Sequence, residues 1–232
     1  MTAPLFTARP KADWALKALS AFGFLCVALG LTFGDVRSAR AAEDPSAFIL
    51  SLTDRVVGIV SDGSLNDKTR LDKFRELITA NTRLDRAASF VIGRYAGVLR
   101  AEHKYDQYSE LFNEYVVRIY AARLGAYNGQ KVVIDKVVPK GTSETLVYST
   151  VMPGREGGNP IPVIWRLVQD GDSYKILDVG VFNAWMSIEQ RDSFSSVISN
   201  NGGKPDAIIT HLQQQLAKST PDDPGFKNGS PT

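Results

Sequence analysis

At Asn128-Gly129 the texture of this sequence changes. Upstream, from Asp44 onward, apolar residues recur at spacings of three and four; downstream, β-branched residues alternate with polar ones at period two. A helical block followed by a strand block does not build a parallel sheet of βαβ units, so the chain is expected to be α+β with an antiparallel sheet.

In the first block, Asp44-Pro45 reads as a helix start, with Asp as N-cap and Pro at the first helical position. Phe48, Leu52, Val56 and Ile59 carry that helix to a break at Asp62-Gly63. A second helix is expected from Asn66 to Thr79, burying Leu71, Phe74, Leu77 and Ile78. A third spans Leu84 to Leu99, with Ala87, Phe90, Val91, Tyr95 and Val98 on one face. The fourth, from Tyr105 to Tyr127, is long and aromatic: Tyr108, Phe112, Tyr115, Ile119 and Arg123 form one stripe, widened by Leu111, Val116, Tyr120 and Leu124.

In the second block, residues Lys131 to Val138, Glu144 to Met152, Ile161 to Gln169 and Ser173 to Phe182 read as four strands. Pro139-Lys140-Gly141, the Gly154 to Pro160 segment and Asp170-Gly171-Asp172 are turns, and such short connections predict a meander. Two helices follow, from Ser187 to Ser199 and from Pro205 to Lys218, the latter with Ile208, Ile209, Leu212 and Leu216 inward. Residues 219–232 are polar and rich in Pro and Gly, a composition expected of a disordered tail.

The first 41 residues read as a cleaved export signal, with a retained anchor as the alternative because Trp14 to Phe33 comes close to the length of a spanning helix. Lys11 and Lys17 precede an apolar run from Ala18 to Leu31, and Ala39-Arg40-Ala41 supplies a small-x-small cleavage site. Cys26 follows bulky Phe24 and Leu25, which does not suit a lipid-modified cysteine. The formal net charge of +2 stems from this segment: it holds 5 of the 27 basic and 2 of the 25 acidic residues, leaving 22 against 23. The exported chain, 42–232, is therefore almost neutral, which removes the charge argument for nucleic-acid binding. It also lacks cysteine, so it has no disulfide, thiol nucleophile or cysteine zinc site. A single domain over 42–218 is expected, stabilised by packing alone.

Reaction chemistry is sparse. His103 and His211 are the only histidines and neither has a neighbour suited to a metal or a nucleophile pair; His211 is expected to be solvated on the polar side of its helix. Gly154-Arg155-Glu156-Gly157-Gly158 joins two strands and opens no helix, so it reads as a hairpin turn and not as a phosphate loop. The strongest enzyme reading is proton transfer by Asp178 with Tyr148 or Tyr174, for which a strand carboxylate with backbone or Arg partners is the plainer account. No cofactor is expected.

Both faces of the sheet are apolar. On the third strand Ile161, Val163, Trp165 and Leu167 share one face, and Ile164 and Val168 flank Arg166 on the other. The surplus is met either by helices on both sides or by an apolar cavity walled by the fourth helix, and the pattern fits both.

Several stretches, in order and spacing, resemble the MlaC-type periplasmic phospholipid shuttles, also called toluene-tolerance auxiliary proteins: 90–95 (Phe-Val-Ile-Gly-Arg-Tyr), 112–120 with Tyr127-Asn128-Gly129-Gln130, Pro160-Ile161-Pro162-Val163 with Trp165-Arg166-Leu167, 174–179, and 190–194 with Asn201-Gly202-Gly203. The similarity runs from Phe48 to Leu216. It implies an NTF2-like sheet with a helical subdomain that encloses the acyl chains of a phospholipid and leaves the headgroup outside. It further implies transfer between an outer-membrane lipoprotein complex and the lipid-binding ring of an inner-membrane ABC transporter. On that basis Phe90, Val91, Tyr95, Phe112, Tyr115, Val116, Ile119, Val147, Val163 and Trp165 are expected to include the lipid lining. Tyr95 and Tyr115 would then sit near the mouth, with Arg94 or Arg118 meeting a phosphate or a partner. Asn183-Ala184-Trp185 departs from the family's usual Gly-Val-Ser; bulky Trp185 would narrow the cavity, leaving a hopanoid-like cargo as an alternative.

Overall fold

A computed structural model describes residues 43–124 and 127–218. The expected leader and tail lie outside them. Among the described residues seven helices and five strands follow in the order α1 (Pro45–Ser61), α2 (Asp67–Asn81), α3 (Leu84–Ile92), α4 (Tyr95–Ala101), α5 (Tyr105–Leu124), β1 (Lys131–Lys140), β2 (Glu144–Met152), β3 (Ile161–Asp170), β4 (Ser173–Val181), β5 (Ala184–Trp185), α6 (Met186–Asn200) and α7 (Asp206–Lys218). The fold is α+β. Its sheet is antiparallel throughout with spatial order β1-β2-β3-β4-β5, the meander that the short turns require, extended by a two-residue strand.

Local signals act as read. Asp44 caps α1, its carboxylate accepting from the backbone N–H groups of Ser46 and Ala47 at 2.8 and 2.9 Å. Asn66 caps α2 through the N–H of Thr69. The expected single helix from Leu84 to Leu99 is two helices. Gly93 adopts φ 54° and ψ −127°, which ends α3 and restarts the chain at a new phase. The expected face holds in part: Val91 is buried together with Ala88, Ile92, Ala96 and Leu99, and Ala87 and Tyr95 pack half-buried against the cluster, while Phe90 and Val98 are exposed. At the far end of the sheet, Gly154 in the β2–β3 turn packs so closely on the Asn128 turn that a Cβ there would lie 2.2 Å from the Asn128 carbonyl oxygen.

The core has three parts. A helical cluster gathers Ala88, Val91 and Ile92 of α3 with Tyr108 and Phe112 of α5, Phe194 and Ile198 of α6, and Ile208 and Leu212 of α7. A second cluster covers one sheet face with α1: Phe48, Ile49 and Leu52 lie on Val147, Leu167 and Ile176, joined by Leu77 of α2. A small third cluster sets Leu71 and Phe74 of α2 against Val117 of α5. Helix α5 packs against α7 and α2 and also touches α3 and α4. Its broad apolar surface is shared among these helical neighbours, while α1 covers the sheet-side cluster.

Candidate functional site

The residues expected to line a lipid site fall into two groups. Val91 and Phe112 are buried in the helical cluster, with Tyr95, Tyr115 and Val116 half-buried against it. Val147, Val163 and Trp165 share one sheet face: Val147 pairs with Trp165 across β2 and β3, and Val163 precedes Trp165 by two residues. Val147 and Trp165 belong to the cluster under α1. Ile119 is half-buried between the groups in sequence and belongs to none of the three clusters. Phe90 stands apart, 44% exposed, with the Arg191 guanidinium 5.1 Å over its ring.

The sheet-side group is built round one polar pair. Ser149 is 1% exposed, yet its hydroxyl accepts the Trp165 indole N–H at 2.8 Å and donates to the Val163 carbonyl at 3.3 Å. That arrangement satisfies the indole while keeping its ring on the apolar face. On the helical side, Tyr108 is fully buried and donates to the Ala88 carbonyl at 2.9 Å; burial pushes its hydroxyl pKa up, so it remains a neutral donor.

The two groups are tied together through α2. Arg75 donates twice to Glu114 of α5 at 3.1 Å, and Arg118 donates to the same carboxylate at 2.6 Å and to the Leu216 carbonyl of α7 at 3.2 Å. Burial pushes the Glu114 carboxyl up, but the hydrogen bonds and charges of Arg75 and Arg118 outweigh it and hold the group below its ordinary value. Arg118 is therefore part of a helix clamp. From the other end of α2, the backbone N–H of Arg83 donates to the Ile176 carbonyl of β4 at 2.8 Å.

The remaining candidates resolve into structural roles. Asp178 accepts from the backbone N–H and the hydroxyl of Ser187 and from the Val179 N–H, so it caps the start of α6. Tyr174 lies on the opposite sheet face, packed 6.2 Å from the Phe48 ring. Tyr148 shares the Asp178 face, but it pairs with Ile164, opposite Gly180, and its ring is covered by Lys136 at 4.5 Å. His211 is not solvated as expected: its ring meets Phe194 edge-on at 6.3 Å, and burial lowers its pKa. Trp185 packs on Gly180, where a Cβ would touch its ring at 3.4 Å, on the face opposite Val147, Val163 and Trp165. Among the described residues no three of His, Cys, Asp and Glu are gathered as a metal site requires. No described helix is long and apolar enough to cross a membrane.

Two surface clefts accompany these groups. One of about 300 Å³ is lined by Ile92, Gly93, Arg94, Tyr95, Arg191, Ser195 and Ser199. The other, about 350 Å³, lies among the Asn128 turn and the Pro153 to Asn159 loop. Tyr95 alone of the ten expected lining residues reaches either cleft.

With this arrangement of an antiparallel meander under one helix and a packed helical subdomain, the model of the MlaC protein family matches residues 51–214. The chain belongs to the MlaC family. Among solved structures, the MlaC-like fold is shared with the phospholipid-binding protein from Ralstonia solanacearum, determined in complex with a phospholipid, at a TM-score of 0.62 and 23% identity over 75% of this chain and 98% of that one. No curated protein matches the chain.

Proposed function

We propose that this MlaC-family chain is a periplasmic phospholipid carrier, exported through residues 1–41, that takes up the two acyl chains between its helical and sheet-side apolar groups. The observation that carries the reading is the family match over 51–214, supported by a shared fold with a protein that was solved holding a phospholipid. Phe90, Val91, Tyr95, Phe112, Tyr115, Val116 and Ile119 would supply one wall, and Val147, Val163 and Trp165 the other.

Two acyl chains of about 30 methylenes gain roughly 24 kcal/mol on leaving water, so release into solvent is effectively forbidden. Exchange from a bilayer into an apolar interior is close to thermoneutral by the same reasoning, because the chains are dry at both ends of the transfer. A carrier thus needs an interior that matches a membrane and partners that open it, not a reactive group. In this reading the outer-membrane partner is a lipoprotein complex and the inner-membrane partner the lipid-binding ring of an ABC transporter. The helical and sheet-side clusters part on loading, and α2, which packs on both α5 and β4, is the hinge between them. Trp185 lies on the far face of the sheet from the three strand residues of the wall, which favours a phospholipid over a hopanoid-like cargo.

Native mass spectrometry of the protein purified from cells tests this: co-purifying phospholipid masses at one per chain are expected. Protein that carries hopanoid masses instead overturns the cargo, and protein that carries no lipid at all when purified without detergent counts against the carrier.

A further inference from the structure

The cleft of about 300 Å³ forms where the turn joining α3 to α4 meets α6. On α6, Arg191, Ser195 and Ser199 are four residues apart, so they stack as one stripe toward the turn. Gly93 allows the close approach. Its φ of 54° suits glycine, and a Cβ there would lie 3.1 Å from Arg191 Nη2. Arg191 rests on the Phe90 ring, and Arg94 donates to the Tyr95 hydroxyl at 3.0 Å.

The charge balance of the cleft is one-sided. Arg70, Arg75, Arg83, Arg118 and Arg166 each hold a carboxylate. Arg94 and Arg191 hold none among the described residues: one contacts a phenol and the other a phenyl ring. Two guanidinium groups without a counter-charge and two serine hydroxyls thus line a single concavity that contains no acidic residue. A planar guanidinium fork matches the oxygens of a phosphate better than it matches any neutral group.

We propose that this cleft binds a phosphate group, with Arg94 and Arg191 clamping its oxygens and Ser195 and Ser199 donating to it. The inference does not depend on the carrier reading, since the phosphate of a lipid headgroup and free phosphate share this chemistry.

The test is an NMR titration of the arginine Nε–H signals in the lipid-free exported chain, with inorganic phosphate and, separately, with glycerophosphoethanolamine, which carries the diester without acyl chains. Saturable shifts of the Arg94 and Arg191 signals are expected, weakened about tenfold or more in the R94Q/R191Q double variant. Both arginines are exposed, so the double variant should keep the wild-type melting temperature. A response to the diester assigns a lipid headgroup, and a response to inorganic phosphate alone assigns the free ion. No saturable shift with either probe, or unchanged affinity in the double variant, overturns the site. A chain that fails this titration yet takes up phospholipid from vesicles removes the cleft and leaves the carrier; the reverse result removes only the carrier.

Discussion

Arg75 and Glu114, 39 residues apart, form a two-pronged ion pair that fastens α2 to α5. Arg118 joins the same carboxylate and continues the tie to the α7 backbone. Glu114 therefore links α2, α5 and, through Arg118, α7.

The Glu114 clamp makes stability depend on pH. Its pKa in the folded chain lies below the ordinary carboxylate value, so the unfolded chain takes up the proton first as pH falls. The contribution is complete above the ordinary value and is lost as acid carries the pH through the lowered one. Both partners are a quarter to a third exposed, which limits the cost of E114Q to about 1 kcal/mol at neutral pH. Urea midpoints of wild type and E114Q should differ at pH 7 and converge toward pH 3; a gap that stays constant across that range rejects the assignment.

Ser149 supports the sheet-side group through Trp165. Ser149→Ala leaves the indole N–H without its partner and should cost about 1–3 kcal/mol. The double variant S149A/W165F removes both ends of the bond, so its loss should be smaller than the sum of the two single losses. Strict additivity in thermal melts would mean the bond is not a coupling contact.

Asp178 is read as a cap, and that has its own signature. Asp178→Ala should lower stability by about 0.5–2 kcal/mol, the usual cost of a lost helix N-cap, with fraying at the start of α6. Phospholipid uptake by the folded variant should equal that of wild type. Loss of uptake with unchanged stability would move Asp178 from the scaffold to the site.

The sequence made much of the architecture legible because its signals were local. Asp44-Pro45 caps a helix by its own side chain, and a strand's period of two survives whatever covers it. The break at Gly93 is hidden in the sequence because the apolar spacing continues across it, and only the backbone shows that the phase has shifted. The lining residues were harder. Val91 or Phe112 is apolar and inward whether it touches a neighbour or a lipid, so periodicity cannot separate the two. Likewise nothing local to Arg191 signals that it shares a cleft with Arg94, 97 positions earlier; that juxtaposition exists only once α6 packs beside α3.

The central claim is that this chain holds phospholipid, and lipid uptake measures it most directly. The chain over residues 42–232, stripped of lipid, is mixed with phosphatidylethanolamine/phosphatidylglycerol vesicles, separated from them by size, and weighed by native mass spectrometry. One phospholipid per chain is the expected result, with reduced loading when Val147 or Val116 is replaced by a larger Phe in a variant that still folds. A chain that emerges from the vesicles with its protein mass alone would contradict the account.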